Sequence, residues 1–177
     1  MDVLRLAGAH SSLILAKLIR PLCGRYTPRE VMEFSLNPHN GIGSIKLGMP
    51  RAEVREILGA SFDSSRGSLD YYFNGSLQVE FENDLVIFIG LALDESYVVT
   101  YFGVNVFDVE ASELFALISA KEPQKHSFEQ GEYLFPEQII TLYDADEQYD
   151  YLGNHQRPVW GQIGLGSKAY LKAVSGV

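Results

Sequence analysis

The chain has 177 residues, 46% of them apolar and 12% aromatic, enough for one domain or two small ones with a real core. Its formal net charge is −9, and that charge is uneven: residues 1–31 carry five basic groups and two acids, a net of +3, so the remainder carries −12. A body this acidic repels phosphate backbones and excludes nucleic acid as the expected partner, while a basic protein surface would be attracted. Cys23 is the sole cysteine, which rules out an intrachain disulfide and a thiolate metal cluster and fits a reducing cytoplasm.

Residues 1–31 read as a basic arm. Arg5 and Lys17 interrupt the apolar stretch 3–24, so no unbroken run is long enough to span a bilayer. The basic residues spread through to Arg29 instead of preceding an apolar run, which is not a secretory signal pattern. The segment reads either as an amphipathic helix ending near Pro21, loosely attached, or as a stretch outside the domain, with Met32 opening the well-patterned part. The expected location is the cytoplasm.

From residue 31 the pattern VMEFSL is a strand candidate, followed by a turn over 37–41 and an extended piece with Ile45 and Leu47 on alternate positions. Gly48 allows a bend, and Pro50 suits the first turn of a helix, where its missing donor is not needed. The spacing predicts a helix over 50–58. Val54, Ile57 and Leu58 form its apolar face, Arg51, Arg55, Glu53 and Glu56 face solvent, and Gly59 caps its end. Residues 61–68 read as a polar loop. Asn74-Gly75 is a two-residue hairpin signal. Leu77, Val79 and Phe81 alternate with Gln78, Glu80 and Glu82, a strand with one wet face. After a turn at Asn83-Asp84, residues 85–93 are almost all apolar and read as a central strand covered on both faces.

The second half starts with a strand over 98–107 bent at Gly103. A helix over 109–119 follows, capped by Asp108, with Ala111, Leu114, Phe115 and Ile118 on its apolar face and Leu117 beside it. A charged loop, a strand from Gln138, a long acidic loop over 144–158, a short strand over 159–165 and a terminal helical turn over 167–174 complete the chain. The predicted fold class is α+β, with tandem helix-on-antiparallel-sheet modules at 32–95 and 96–177 after the arm at 1–31, their sheets separate or continuous.

No residue set announces catalysis. His10, His39, His126 and His155 lack metal-ligand spacing. The string DADEQYD lacks the mid-loop glycine and terminal glutamate of a calcium loop. Gly41-Ile42-Gly43 lacks the partners of a phosphate loop, and Ser64, Ser65 and Ser68 have no nucleophile elbow. No cofactor or metal is therefore expected. Acids beside aromatics do suit protein recognition, and Asp144, Asp146, Glu147, Tyr149, Asp150, Tyr151 and Trp160 are the candidate partner-binding residues. The bland alternative is a solvated loop with its aromatics tucked into the core.

Ile45, Gly48, Met49, Ala52, Val54, Ile57, Leu58 and Gly59 resemble the recurring I-x-x-G-M-(S/T)-x-x-x-V-x-x-x-L-G string of the BamE/SmpA-type small α/β module, with Leu47 and Pro50 at variable places. Tyr72, Leu77, Val79 and Phe81 resemble that module's following strand pair, so the likeness covers residues 42–93. The same module is seen as a tandem pair in the beta-lactamase inhibitor protein. The opening Asn37, Pro38, Gly41, Ile42, Gly43, Ile45, Leu47, Gly48 and Met49 also resembles bacterial immunity-type proteins that begin NP-x-x-GIG-x-(I/L)-x-LGM. Both resemblances imply binding to proteins rather than catalysis. The module's lipid attachment site has no counterpart here, which counts against an outer-membrane assembly role, and a lactamase-inhibitor role would require export. The expected function is a cytoplasmic protein-binding module, an immunity protein that occludes a basic toxin or effector. The alternatives are a structural or homodimeric subunit of a bacterial assembly, and an enzyme with an unrecognised site.

Overall fold

The computed structural model describes residues 31–145 and 158–175; the basic arm lies outside the described residues. In chain order the strands are β1 (Met32–Asn37), β2 (Gly41–Ile42), β3 (Ile45–Lys46), β4 (Phe62–Arg66), β5 (Leu69–Tyr72), β6 (Leu77–Glu82), β7 (Leu85–Leu91), β8 (Tyr97–Tyr101), β9 (Val104–Asn105), β10 (Ser127–Glu129), β11 (Glu132–Phe135), β12 (Ile140–Tyr143) and β13 (Gln162–Gly166). Among the described residues three α-helices accompany them, α1 (Arg51–Leu58), α2 (Ala111–Ser119) and α3 (Lys168–Ser175). The strands form a mixed five-stranded sheet, β3-β2-β1-β8-β9, and an antiparallel eight-stranded sheet, β10-β11-β12-β13-β7-β6-β5-β4. The fold is α+β, with helices packed against these two sheets.

Local chemistry explains the eight-stranded sheet. Asn83 and Asp84 both take left-handed backbone (φ 52° and 60°), the conformation a two-residue hairpin needs, and they close the β6–β7 pair at Glu82 and Leu85. Phe73, Asn74 and Gly75 are likewise left-handed, so the β5–β6 connection is a four-residue turn between Tyr72 and Leu77 rather than the predicted two-residue one. Along β6, Leu77, Val79 and Phe81 are buried and Gln78 and Glu80 are half-buried on the opposite face. β7 sits between β6 and β13, with Ile89 and Leu91 inward, as its unbroken apolar run requires.

Residues 61–68 depart from the expected loop: 62–66 form β4, paired with β5 at the end of the sheet and bulged between Phe62 and Ser64. Every β4 residue is exposed, so this strand needs no apolar alternation and shows none.

Helix α1 begins against β7. The Arg51 N–H donates to the Asp84 carbonyl at 2.8 Å, and the Gly48 N–H donates to the Val86 carbonyl at 2.8 Å. Val54 and Leu58 are buried at 0% and 1% exposure, but Ile57 is 42% exposed and does not belong to the packed face. Eight residues present only a narrow stripe to a flat sheet, and i, i+4 claims it. Gly59 does not cap in the left-handed form. It stays helical (φ −53°) and opens a 3-10 turn over Gly59–Ser61.

Helix α2 starts at Ala111, two residues later than predicted, with Glu110 rather than Asp108 at the N-cap. Asp108 closes the turn from Asn105, and the Ala111 N–H is held by the Pro158 carbonyl at 3.0 Å. Gly103 is a hairpin residue: Phe102 and Gly103 are left-handed (φ 49° and 80°) and turn β8 into β9. The core joins Phe34, Tyr97 and Val99 of the small sheet, Val54 and Leu58 of α1, Leu114 and Ile118 of α2, and the inward residues of β6, β7, β12 and β13.

Because Leu58 is sealed and Ile57 is not, Leu58→Ala should lower stability by about 2–5 kcal/mol and Ile57→Ala by less than about 1 kcal/mol. Chemical denaturation of the two variants checks this, and equal losses would contradict the packing.

Candidate functional site

The strongest electrostatic feature lies where α1 meets β5. Asp70 occupies an inward position of β5, beside the buried Tyr72, and is 0% exposed. Arg51 and Arg55, one helical turn apart, both reach it. Arg51 Nη2 donates to Oδ1 at 2.6 Å and Nε to Oδ2 at 3.1 Å; Arg55 Nη2 donates to Oδ1 at 2.9 Å and Nε to Oδ2 at 2.8 Å. Arg51 Nη2 also donates to Ser65 Oγ at 2.7 Å, and its guanidinium lies over the Phe81 ring. The Arg55 guanidinium lies over Phe62. This corrects the expectation of solvent-facing arginines for Arg51, which is largely covered, whereas Arg55 stays exposed and still reaches the inward carboxylate. Burial pushes the Asp70 carboxyl up, but the hydrogen bonds from Arg55 and Arg51 outweigh it and hold the group well below the usual carboxylate range. Burial, and after it the Asp70 charge, raise the Tyr72 phenol to about 12. Each carboxylate oxygen accepts from both arginines, so the cluster clamps the helix to the sheet.

Among the described residues, the outer face of the eight-stranded sheet is the less covered one. Registers place Tyr71, Gln78, Glu80, Phe88, Gln162, Thr141, Tyr143, Leu134, Glu132, Ser127 and Glu129 on it, opposite the core. Gly164 and Gly166 keep its centre flat. A Cβ at Gly164 would collide with the Phe88 ring and Thr141 Oγ1, and one at Gly166 with the Tyr170 ring. Over this flat strip α3 rests by Tyr170, stacked on Phe88 at 4.5 Å and 25°. No residue of α3 is fully buried, so the helix lies across the sheet as a strap.

The strap leaves a cleft on each flank. One, of about 720 Å³, is bordered by Glu129, Glu132, Leu134, Tyr143, Tyr170 and Val174. Burial raises the Glu132 carboxyl against the lowering effect of hydrogen bonds from Thr141 and Tyr170, and burial also raises Glu80. Tyr170 donates to Glu132 at 3.4 Å, and its own phenol is pushed up by burial and by that carboxylate. Among the described residues no cation forms an ion pair with Glu80, Glu129 or Glu132; the ion pairs join Arg51 and Arg55 to Asp70, and Arg51 to Asp84. The other cleft, of about 770 Å³, has Pro136, Ile139 and Leu171 in its lining with Lys168, Lys172 and His39. Ile139 is left-handed (φ 54°), a β-branched residue in a conformation that costs about 1–3 kcal/mol. It is held by its N–H to Phe135 at 2.7 Å and its carbonyl to Gly166 at 2.8 Å.

Of the residues singled out in the sequence, Trp160 lies in the core, 6% exposed, its indole N–H donating to the Ala111 carbonyl at 2.9 Å and its ring against Phe115 and Tyr133. It is not available to a partner surface. Asp144 is half-buried and left-handed after β12. Asp146, Glu147, Tyr149, Asp150 and Tyr151 lie outside the described residues. His126 packs on Phe115, Tyr133 and Phe135, and His39 is exposed in the β1–β2 turn. Among the described residues no group of three or more His, Cys, Asp or Glu is placed to hold a metal ion, and no helix is long and apolar enough to cross a membrane.

No family model, no curated protein and no solved structure matches the chain.

Sequence reasoning missed the Arg–Asp–Arg cluster, yet a signal was there. Asp70 alternates with residues 69 and 71 and so shares the inward side with Tyr72, and an inward acid needs cations, which an i, i+4 arginine pair supplies. Asp70→Asn should cost about 3 kcal/mol, at the low end for breaking a buried ion pair because both guanidinium groups are partly solvated. The sign with pH follows from the lowered carboxyl. Its contribution is full above the unfolded value, about 3.9, and is lost as pH falls toward the folded one. Denaturation at descending pH should therefore show wild type losing its advantage over Asp70→Asn below about pH 4; a constant gap would refute this.

Proposed function

We propose that this chain is a cytoplasmic protein-binding module, acting as an immunity-type protein that occludes a basic effector. The observation that carries the reading is the outer face of the eight-stranded sheet. It joins tyrosines and half-buried carboxylates to an open cleft, with no cation of the described residues paired to those acids. Aromatic groups give contact area at low entropic cost, and desolvated acids are relieved when a partner brings an ammonium or guanidinium group. Net charge of −9 steers such a partner toward the body and makes the encounter salt-dependent. The resemblance to modules that bind proteins supports the same reading, and the wing of acids and tyrosines over β10–β12 takes the place of Trp160 as recognition surface.

We read the architecture as tandem modules. Each half supplies two or three short strands (β1–β3, β8–β9), a helix and a four-stranded meander, β4–β7 in one and β10–β13 in the other, and the last strands of the two meanders pair at the sheet centre.

Photocrosslinking in the native cell tests the binding role. A benzophenone side chain at position 143 should capture a basic protein, and the yield should fall when lysates are brought to high salt. The same group at position 57, on the far side of α1, should capture none. Equal labelling at both positions, or capture insensitive to salt, would defeat the proposal.

A further inference from the structure

The second flank of α3 carries chemistry of the opposite sign from the first. Its floor is apolar: Pro136 and Leu171 are half-buried and Ile139 is sealed, the left-handed turn at Ile139 setting the floor's shape. Its rim is cationic. Lys168 and Lys172 stand one helical turn apart on α3, beside the half-buried Leu171, and His39 lines the groove from the β1–β2 turn. Among the described residues Glu137 is the one carboxylate in the lining, and it accepts from Gln124 Nε2 at 2.8 Å. Four other basic side chains are engaged within the fold, while Arg66 and Lys125 are exposed and line no part of this groove. Arg51 and Arg55 hold Asp70, Lys46 donates to the Gly43 carbonyl at 2.7 Å, and Lys121 lies over the Phe102 ring at 3.9 Å. Lys168 and Lys172 make no ion pair among the described residues.

Charge and shape together select a ligand. A volume of about 770 Å³ is the size of a small-molecule site, and an apolar floor under a few convergent cations fits a molecule with one anionic end and an apolar body. A bare phosphate would leave the floor wet, and a neutral lipid would leave both ammonium groups without a partner. The body's net charge of −9 does not forbid an anion here, because at physiological ionic strength fields fade over about 8 Å and the nearest charges decide. Lysine ammonium groups on flexible stems can lie along such a tail and meet its carboxylate at the rim.

We propose that the groove between α3 and the 136–139 turn binds an alkyl carboxylate of medium chain length, its tail on Pro136, Ile139 and Leu171 and its carboxylate between Lys168 and Lys172.

Calorimetric titration of the full chain with decanoate, below its micelle concentration, tests this. Decanoate should bind saturably at one site, and acetate, decanol and decyltrimethylammonium should each bind at least about tenfold more weakly, since each lacks one half of the match. The double variant Lys168→Gln/Lys172→Gln should weaken decanoate by about tenfold while its thermal midpoint stays at the wild-type value, and Leu171→Ser should weaken it through the tail alone. Decanoate and decyltrimethylammonium binding equally, uptake only at micellar concentration, no saturable heat, or displacement by an acidic peptide that binds more tightly than decanoate would each overturn the proposal. The photocrosslinking result at position 143 does not enter this test, so the protein-binding reading and the groove stand or fall separately.

Discussion

The body of the protein depends on one carboxylate. Asp70 sits where the strand pattern calls for an apolar side chain, and it is fully enclosed. A buried ion of this kind is tolerable only when its lone pairs are all taken by well-placed donors, and here two forked guanidinium groups and a tyrosine hydroxyl take them. The consequence is positional. Arg51 and Arg55 are successive turns of a helix too short to be stable alone, and the carboxylate fixes that helix in rotation and in height over β5 and β6. Val54 then falls between the two arginines, inward, and Leu58 one turn on. The apolar stripe and the ion cluster therefore specify the same docking, one by area and the other by direction.

That docking leaves the opposite side of the sheet to do something else. With α1 and α2 occupying the inner face, the outer face has, among the described residues, α3 across its middle, resting on one aromatic stack and on glycines that let the ring approach. The strap divides the face by charge. Glu129, Glu132 and Tyr143 border one cleft, and Lys168 and Lys172 over apolar residues border the other. A single eight-residue helix thus creates two chemically distinct recesses from one flat sheet, and the proposed partner surface and the proposed small-molecule groove are its two flanks.

How much of this could be read from the sequence differs by element, for physical reasons. Alternation along 77–82 and the apolar run at 85–91 gave β6 and β7 directly, because burial there follows strand geometry without help from distant residues. The turn at Asn83-Asp84 was equally legible, since few residues other than glycine accept left-handed backbone readily. β4 was not legible: FDSSR is polar because the strand is exposed along its whole length, so composition alone describes a loop. Periodicity sorts residues by polarity and so turns Arg51 and Arg55 toward solvent, whereas the carboxylate that takes them is nineteen and fifteen positions away. Trp160 was assigned to a surface because it follows an acidic stretch, and only the placement of α2 shows that its indole closes the end of that helix. Local rules reached the strands and turns; pairings across the fold, on which the outer face depends, were beyond them.

The two ends of the eight-stranded sheet bear on how the molecule behaves when crowded. A sheet that does not close on itself carries an unsatisfied row of amides and carbonyls at each margin, and a second molecule could extend it indefinitely. At one margin the kink between Phe62 and Ser64 throws the hydrogen-bonding groups out of step. At the other, only three residues, Ser127–Glu129, present a straight ladder, and the last of them is charged. Neither margin offers a template long and regular enough for stacking, so the open architecture that exposes a broad recognition face does so without inviting fibre growth.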